Sequence, residues 1–334
     1  MNSCASPLER IGPSAMTLSV VIATRDRPRE LHGTVFSLLG QTRAANELIV
    51  IDQSIESGGR RAVERAVAAR SRDHGTAPML RYIHDPSIRG AAPARNVGID
   101  LAGGDIVVFL DDDVILEPDF LLEIAAVYAQ DPTVTGVSGI ITNYERPPVW
   151  QRALLRVFWR GPFHDQRQPI YWNADGLRGA PPLNVDRFGT TGMSLRRRAL
   201  GPLRFDPRLR DAWPGEDVDL CCRLGSDRKL VIATEARFAH MRVPTNRPRE
   251  HWIKRDVQAM YYLYRRHWDR GPKNRVRFGW LNLGYVLLAT LGGLRRRTLE
   301  PWRMFLEARR EARAYREPLR VEHAADLERR LTER

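Results

Sequence analysis

The chain has 334 residues, with 53 Lys+Arg against 40 Asp+Glu, a net charge of +13 and a 43% hydrophobic share. That balance excludes a wholly disordered chain, and a length beyond a ~100–200 residue domain predicts one large domain with an appendage, or two domains. Three cysteines, two of them adjacent at Cys221 and Cys222, exclude a disulfide framework and fit a reducing compartment.

Met1–Met16 has no apolar core and reads as a flexible leader rather than a secretory signal. Leu18–Ala23 is a short, β-branched apolar run that predicts a buried strand, and a helix follows around Glu30–Leu39. Glu47–Asp52 predicts a second strand, Arg60–Arg70 a helix and Leu80–Ile83 a third strand. Ala91–Ala102 reads as a helix, and Asp105–Leu110 as a fourth strand running into Asp111-Asp112-Asp113. Strands alternating with helices imply an α/β fold with a mostly parallel sheet flanked by helices. Further on, Val134–Ile141 predicts a strand, Val149–Trp159 a helix or flap, and Asp186–Leu195 a strand. Asp217–Leu224 opens a helix, Lys229–Ala233 and Ala236–His240 are two more strand candidates, and the chain from Pro248 on reads helical.

Ligands of open parallel sheets bind beyond the carboxyl ends of the strands. The polar residues that follow three apolar runs, Thr24 and Asp26, Asp52, and Asp111–Asp113, are therefore expected at one edge. The first turn, Thr24-Arg-Asp-Arg-Pro28, has none of the glycines of a dinucleotide fingerprint, and no P-loop occurs. In an extended segment alternate residues point the same way, so Asp111 and Asp113 can share one side. Two carboxylates there suit Mg²⁺ or Mn²⁺, which commonly takes one or two carboxylates plus substrate phosphates. Basic residues look sparse near this edge, which would leave such a cation to neutralise a diphosphate.

Several motifs, in order, carry a resemblance. They are Ser19–Pro28, Ile49–Ser54, Arg89–Gly98, Gly104–Asp113, Gly192–Arg196, Phe205-Asp206 and Gly215–Leu220. Between about Leu18 and Val243 the chain resembles the inverting nucleotide-sugar glycosyltransferases of family 2, which have the GT-A fold. The resemblance implies a nucleotide-diphospho-sugar donor and Mn²⁺ or Mg²⁺, and the basic tail over 246–334 adds a saccharide or lipid-linked saccharide as the expected acceptor. The resemblance also implies that Thr24 and Asp52 contact the base and ribose, with Asp26 and Asp112 beside them and Arg95 at the base or diphosphate. Asp111 would lie near the ribose and the metal, Asp113 would hold the metal, and His240 would be a further metal ligand. Asp217 is the expected catalytic base, with Glu216 beside it, although acidic residues also suit a helix N-terminus. Asp219 reads as structural, and Gly192, Met193 and Trp213 are expected to flank the acceptor. A sugar nucleotidyltransferase and a catalytically silent nucleotide-sugar-binding protein remain the alternatives.

The positive charge is concentrated in residues 246–334, where 22 Lys+Arg face 11 Asp+Glu and supply +11 of the +13. This places a boundary near Arg242–Pro248, between a catalytic domain over 17–245 and a basic, aromatic-rich helical tail over 246–334. Within the tail, Phe278–Leu294 carries no charge, with Arg275 and Arg277 before it and Arg295–Arg297 after it. Tryptophan, tyrosine and arginine around such a run predict peripheral, in-plane attachment to the cytoplasmic leaflet. A helical cap on the catalytic domain or a contact between copies would use the same residues. No helix-turn-helix, RRM or zinc-finger pattern accompanies the charge, so no nucleic-acid partner is expected.

Overall fold

The computed structural model describes residues 16–56, 58–70, 77–207, 209, 215–225, 227–242 and 252–314. The apolar runs of the first third form four parallel strands: β1 (Leu18–Thr24), β2 (Glu47–Asp52), β3 (Met79–His84) and β4 (Ile106–Asp111). All six residues of β2 are buried, as expected of a central strand covered on both faces. The crossovers are α1 (Pro28–Leu39), α2 (Gly58–Arg70) and α3 (Ala91–Leu101). Helix α1 starts on a proline, whose fixed φ suits a first turn, and buries Leu31, Thr34, Val35 and Leu38 along one stripe.

The second part is more irregular. It comprises β5 (Val114–Leu116), α4 (Phe120–Gln130), β6 (Val134–Ile141), α5 (Val149–Phe158), α6 (Arg167–Trp172), β7 (Leu183–Val185) and β8 (Met193–Arg196). After these come α7 (Arg197–Leu200), α8 (Glu216–Arg223) and β9 (Lys229–His240). The sheet runs β3-β2-β1-β4-β8-β6-β9-β5, with β7 also on β9, so the parallel pattern gives way to mixed pairing from β8 onward. Strand β9 is a single element where two short strands were expected. Strand β6 pairs with both of its halves across a register shift, which spans the polar Thr234-Glu235 step. Of the expected strand Asp186–Leu195, only the end is extended. Gly192 adopts φ 72° in a turn, and a side chain there would meet the Phe238 ring at 2.5 Å. Strand β5 and helix α4 have no counterpart among the expected elements; three residues are too few to show a period.

Three tail helices, α9 (Trp252–His267), α10 (Pro272–Arg296) and α11 (Glu300–Ala314), build a second apolar core. That core also takes Phe158, Trp159 and Phe163 from the middle of the chain, so the tail clasps the segment after α5. Gly284, inside the uncharged run, permits this approach: a Cβ there would lie 2.6 Å from Phe158. Residues 1–15, which hold nearly all of the expected leader, the 243–248 part of the expected boundary and the chain beyond 314 lie outside the described residues.

The tail is joined to the sheet domain by buried charge. Asp219, fully buried in α8, accepts from His267 Nε2 at 2.7 Å and pairs with Arg266 at 3.3 Å and Arg223 at 2.8 Å. Burial alone would raise its pKa, but His267, Arg223 and Arg266 hold it below the usual carboxylate value. Tyr262 donates to Asp206 at 2.8 Å, and Arg266 also pairs with Asp206. Removing one partner from such a cluster strands the others in the interior. We expect Asp219→Ala to cost about 3–5 kcal/mol, read as a lower urea midpoint with faster proteolysis between β9 and α9. A loss under about 1 kcal/mol, the range of an exposed pair, would show that the cluster does not hold the tail.

Candidate active site

Parallel register gathers the expected polar residues. Thr24 pairs across the sheet with Asp52 and Ala23 with Asp111, so the ends of β1, β2 and β4 lie side by side. Past β4 the three aspartates diverge. Asp112 is buried against the first turn, accepting from Thr24 Oγ1 at 2.7 Å and Arg27 Nη1 at 2.9 Å. Burial pushes its carboxyl up to about 6 against the pull of Thr24 and Arg27. Both of its oxygens are therefore engaged within the protein, and Asp112 fastens the first turn to the end of β4. Asp113 accepts from Arg27 at 3.1 Å.

His240 reaches the same place from 127 residues farther along. Strand β9 pairs antiparallel with β5, Val114 opposite His240, and Met241 N–H donates to Asp113 O at 2.8 Å. The imidazole Nε2 lies 3.1 Å from Asp113 and 3.8 Å from Asp111. One ligand atom from each of Asp111, Asp113 and His240 falls within 4.8 Å of the others, and Asp111 and His240 keep 26% and 22% of their side chains exposed. Two carboxylate oxygens and one imidazole nitrogen, partly open on one side, fit a divalent cation. Burial lowers the pKa of His240, but its bond to Asp113 and the charge of Asp111 outweigh this and raise it.

Asp111 also leads to the other expected carboxylates. Its Oδ1 accepts from Arg95 Nη2 at 3.0 Å, and Arg95 Nη1 donates to Glu216 at 3.1 Å. Arg95 is buried on α3 over the Phe205 ring, with its guanidinium spent on these two carboxylates. Glu216 and Asp217 form the first turn of α8, where the helix dipole favours anions. Asp217 accepts from Arg167 Nη1 at 3.3 Å, and Arg167 is held in turn by Asp165 through contacts of 2.9 and 3.0 Å. The metal trio and the expected base thus belong to one edge, joined through Arg95 and Glu216. Arginine is not sparse there: Arg27, Arg95 and Arg167 each bridge two carboxylates.

Other expected residues are placed differently. Asp52 is fully buried, bonded by Ser54 N–H at 2.9 Å, the Ser54 hydroxyl and the Tyr82 hydroxyl. Burial and then the bond to Asp52 push the Tyr82 hydroxyl far above its ordinary range. Asp26, at φ 57°, sits exposed at the rim, with its N–H on Ser54 Oγ at 2.7 Å. The Met193 side chain is fully buried in the core, which removes it as an acceptor contact; at this turn the backbone of Gly192 and Thr191 remain. Trp213 lies outside the described residues. Reading the residues in order missed Thr191, whose hydroxyl donates to Asp111, and Arg167. Thr191 directly precedes a motif glycine and was findable; Arg167 sits in a segment with no periodic signal.

Residues 19–200 match the family described as Glycosyl transferase family 2. Validoxylamine A glucosyltransferase of Streptomyces hygroscopicus subsp. limoneus is 25% identical over 67% of this chain and 51% of its own. Succinoglycan biosynthesis protein ExoM of Rhizobium meliloti is 27% identical over 71% of this chain and 70% of its own. The chain thus spans about half the length of the first of these relatives. Among solved structures, mannosyltransferase PcManGT from Pyrobaculum calidifontis, in complex with GDP-Man and Mn²⁺, superposes with a TM-score of 0.57 at 17% identity, over 90% of this chain and 88% of that one. The mixed sheet flanked by helices is the GT-A fold.

Burial and the neighbouring Asp217 carboxylate push Glu216 up to about 7, with Arg95 opposing. The fold therefore keeps this proton to about pH 7, while the unfolded chain releases it near the ordinary 4.5. Folding stability from this group falls as pH rises between those values and is lowest above them. In EDTA, Glu216→Gln should flatten the thermal midpoint between pH 4.5 and 7 relative to the native chain. Parallel pH curves for the two proteins would contradict the raised value.

Proposed function

The chain belongs to glycosyl transferase family 2, and from that membership we propose that it moves a sugar from a nucleotide-diphospho-sugar to an acceptor hydroxyl with inversion. One observation carries the reading: the Asp111–Arg95–Glu216 bridge, which joins the cation-binding trio to the helix turn that bears Asp217. A single displacement needs a leaving diphosphate held on one side of the sugar and a base on the other. The two ends of that bridge supply both. Asp217 takes the proton of the attacking hydroxyl, and Arg167 fixes which way its carboxylate faces. Arg95 holds Asp111 and Glu216 in place, and Arg27 does the same for Asp113. Thr24, Asp26 and Asp52 mark the side where the base and ribose lie, at the ends of β1 and β2. Asp111, Asp113 and His240 would hold Mn²⁺ or Mg²⁺, which when bound supplies charge to the departing diphosphate. An imidazole ligand suits Mg²⁺, a hard cation that takes oxygen ligands, less well than it suits a transition ion.

The acceptor in this proposal is a lipid-linked or surface saccharide, and the setting is cell-surface glycan or polysaccharide synthesis, as the name of the succinoglycan relative suggests. The tail supports contact with a membrane face. On α10, Val276, Trp280, Leu283, Leu287, Leu291 and Leu294 are exposed at spacings of three and four, which lines them along one face. Arg275 and Arg277 flank one end and Arg295–Arg297 the other, all exposed. An apolar stripe between cationic ends complements an anionic leaflet, the cytoplasmic one in this reading. Among the described residues no helix is long and apolar enough to cross a membrane.

Two outcomes are expected. A panel of nucleotide-sugars with Mn²⁺ should raise the melting temperature of the native chain for at least one donor, with no shift in Asp113→Ala. With that donor, Asp217→Asn should keep the shift but lose ~10²–10⁴-fold in kcat, and the product should be a nucleoside diphosphate, not pyrophosphate. A native chain that no donor shifts would defeat the proposal. Separately, the chain should co-sediment with phosphatidylcholine vesicles only when phosphatidylglycerol is added, and Leu287→Glu should abolish this. Concentration-dependent dimers that Leu287→Glu disrupts, without vesicle binding, would assign the stripe to a second copy instead.

A further inference from the structure

A cavity of about 610 Å³ opens between α5 and residues 164–173, with none of Asp111, Asp113 and His240 in its lining. Its size is that of a ligand site, which commonly spans ~300–1,000 Å³. Its lining is cationic: Arg146, Arg152 and Arg156 face a single acid, Asp165. Asp165 is already neutralised by Arg167, and burial that would raise its pKa is overcome by that guanidinium. Arg152 and Arg156 are four apart on α5, so both guanidinium groups project from one face. Two donors of the lining, Arg152 Nε and Trp172 Nε1, are buried without a hydrogen-bond partner. Buried N–H groups in native proteins are nearly always satisfied, so an oxygen acceptor inside the cavity, from a ligand or water, would complete these two. Trp159 and Trp172 complete the wall with aromatic surface.

The cavity is connected to the chemistry. Asp165 is in its wall, Arg167 is bound to Asp165, and Asp217 is bound to Arg167. A molecule seated here would lie two ion pairs from the proposed base, Asp165–Arg167 and Arg167–Asp217, which suits an acceptor better than the donor. We propose that this cavity binds the acceptor through a phosphate or diphosphate group, with its organic part against Trp159 and Trp172. Several guanidinium groups lining one cavity suit a tetrahedral oxyanion with many lone pairs, which arginine recognises in phosphate. This rests on the transferase reading above. The phosphate can belong to a lipid-linked saccharide or to a soluble sugar phosphate, which share the same recognition chemistry.

The test uses the full chain in EDTA, so that the metal trio cannot hold phosphate. Decyl phosphate and glucose 1-phosphate are titrated calorimetrically, each against the native chain, Arg152→Ala, Arg156→Ala and Leu287→Glu. At least one probe should bind saturably, each arginine variant should weaken it about tenfold, as loss of a charge-assisted hydrogen bond does, and Leu287→Glu should not. Arg156 is exposed, so its variant serves even where Arg152→Ala disturbs the fold. Binding of decyl phosphate alone assigns a lipid-linked acceptor, and binding of glucose 1-phosphate assigns a soluble one. Absence of saturable binding by both probes, or binding that both arginine variants retain unchanged, overturns the cavity's role. Nucleotide-sugar shifts with Mn²⁺, recorded on the same variants, should stay native. Their absence in the native chain would mark failure of the transferase reading instead.

Discussion

Three arginines bridge six carboxylates around one edge of the sheet, and they make that arrangement tenable. Two unit charges 4 Å apart interact by about 4 kcal/mol at the effective dielectric near a protein surface, so unscreened aspartates would force one another apart or take up protons. Instead the signs alternate: Arg27 lies between Asp112 and Asp113, Arg95 between Asp111 and Glu216, Arg167 between Asp165 and Asp217. Each arginine comes from a different element, so the electrostatics also fix how the first turn, α3 and the α6 segment sit around the strand ends. The groups that escape full compensation are Asp112 and Glu216, pushed up to about 6 and about 7 by burial.

The same helix that brings Glu216 and Asp217 to this edge is gripped from behind. Asp219 follows Asp217 by two positions, roughly 200° around the helix at ~3.6 residues per turn, and it is bound by Arg266 and His267 of the tail. The tail is therefore more than an appendage to a finished domain: it sets the position of the turn that carries the proposed base. A cap and a membrane-facing stripe are compatible, because α10 uses different faces for them. Leu281, Gly284, Tyr285 and Leu288 point into the second core while the exposed stripe looks outward.

Helix α5 joins these themes. It sends Phe158 under Trp280 of α10, at a ring separation of 4.9 Å, and Trp280 Nε1 donates to Val157 O at 2.9 Å. Its arginines line the cationic cavity beside Asp165. One short amphipathic helix thus lines the cationic cavity with Arg152 and Arg156 and packs Phe158 against Trp280 of α10.

Much of this was legible in the residues themselves. Apolar β-branched runs ending in Thr24, Asp52 and Asp111 declared parallel strands and the edge at which a ligand would sit, because strand period and burial are local properties. The ordered motifs declared the family. Tertiary structure alone decided the partners. Nothing local brings His240 to Asp113; the pairing of β9 with β5 does. Nothing local tells that Asp112 turns inward to Thr24 and Arg27, that Met193 is core, or that Arg95, Arg167 and Arg266 each join carboxylates from distant segments. A strand or helix is dictated by spacing along the chain, whereas a charge finds its counter-charge across space, and only the folded backbone fixes which two will meet.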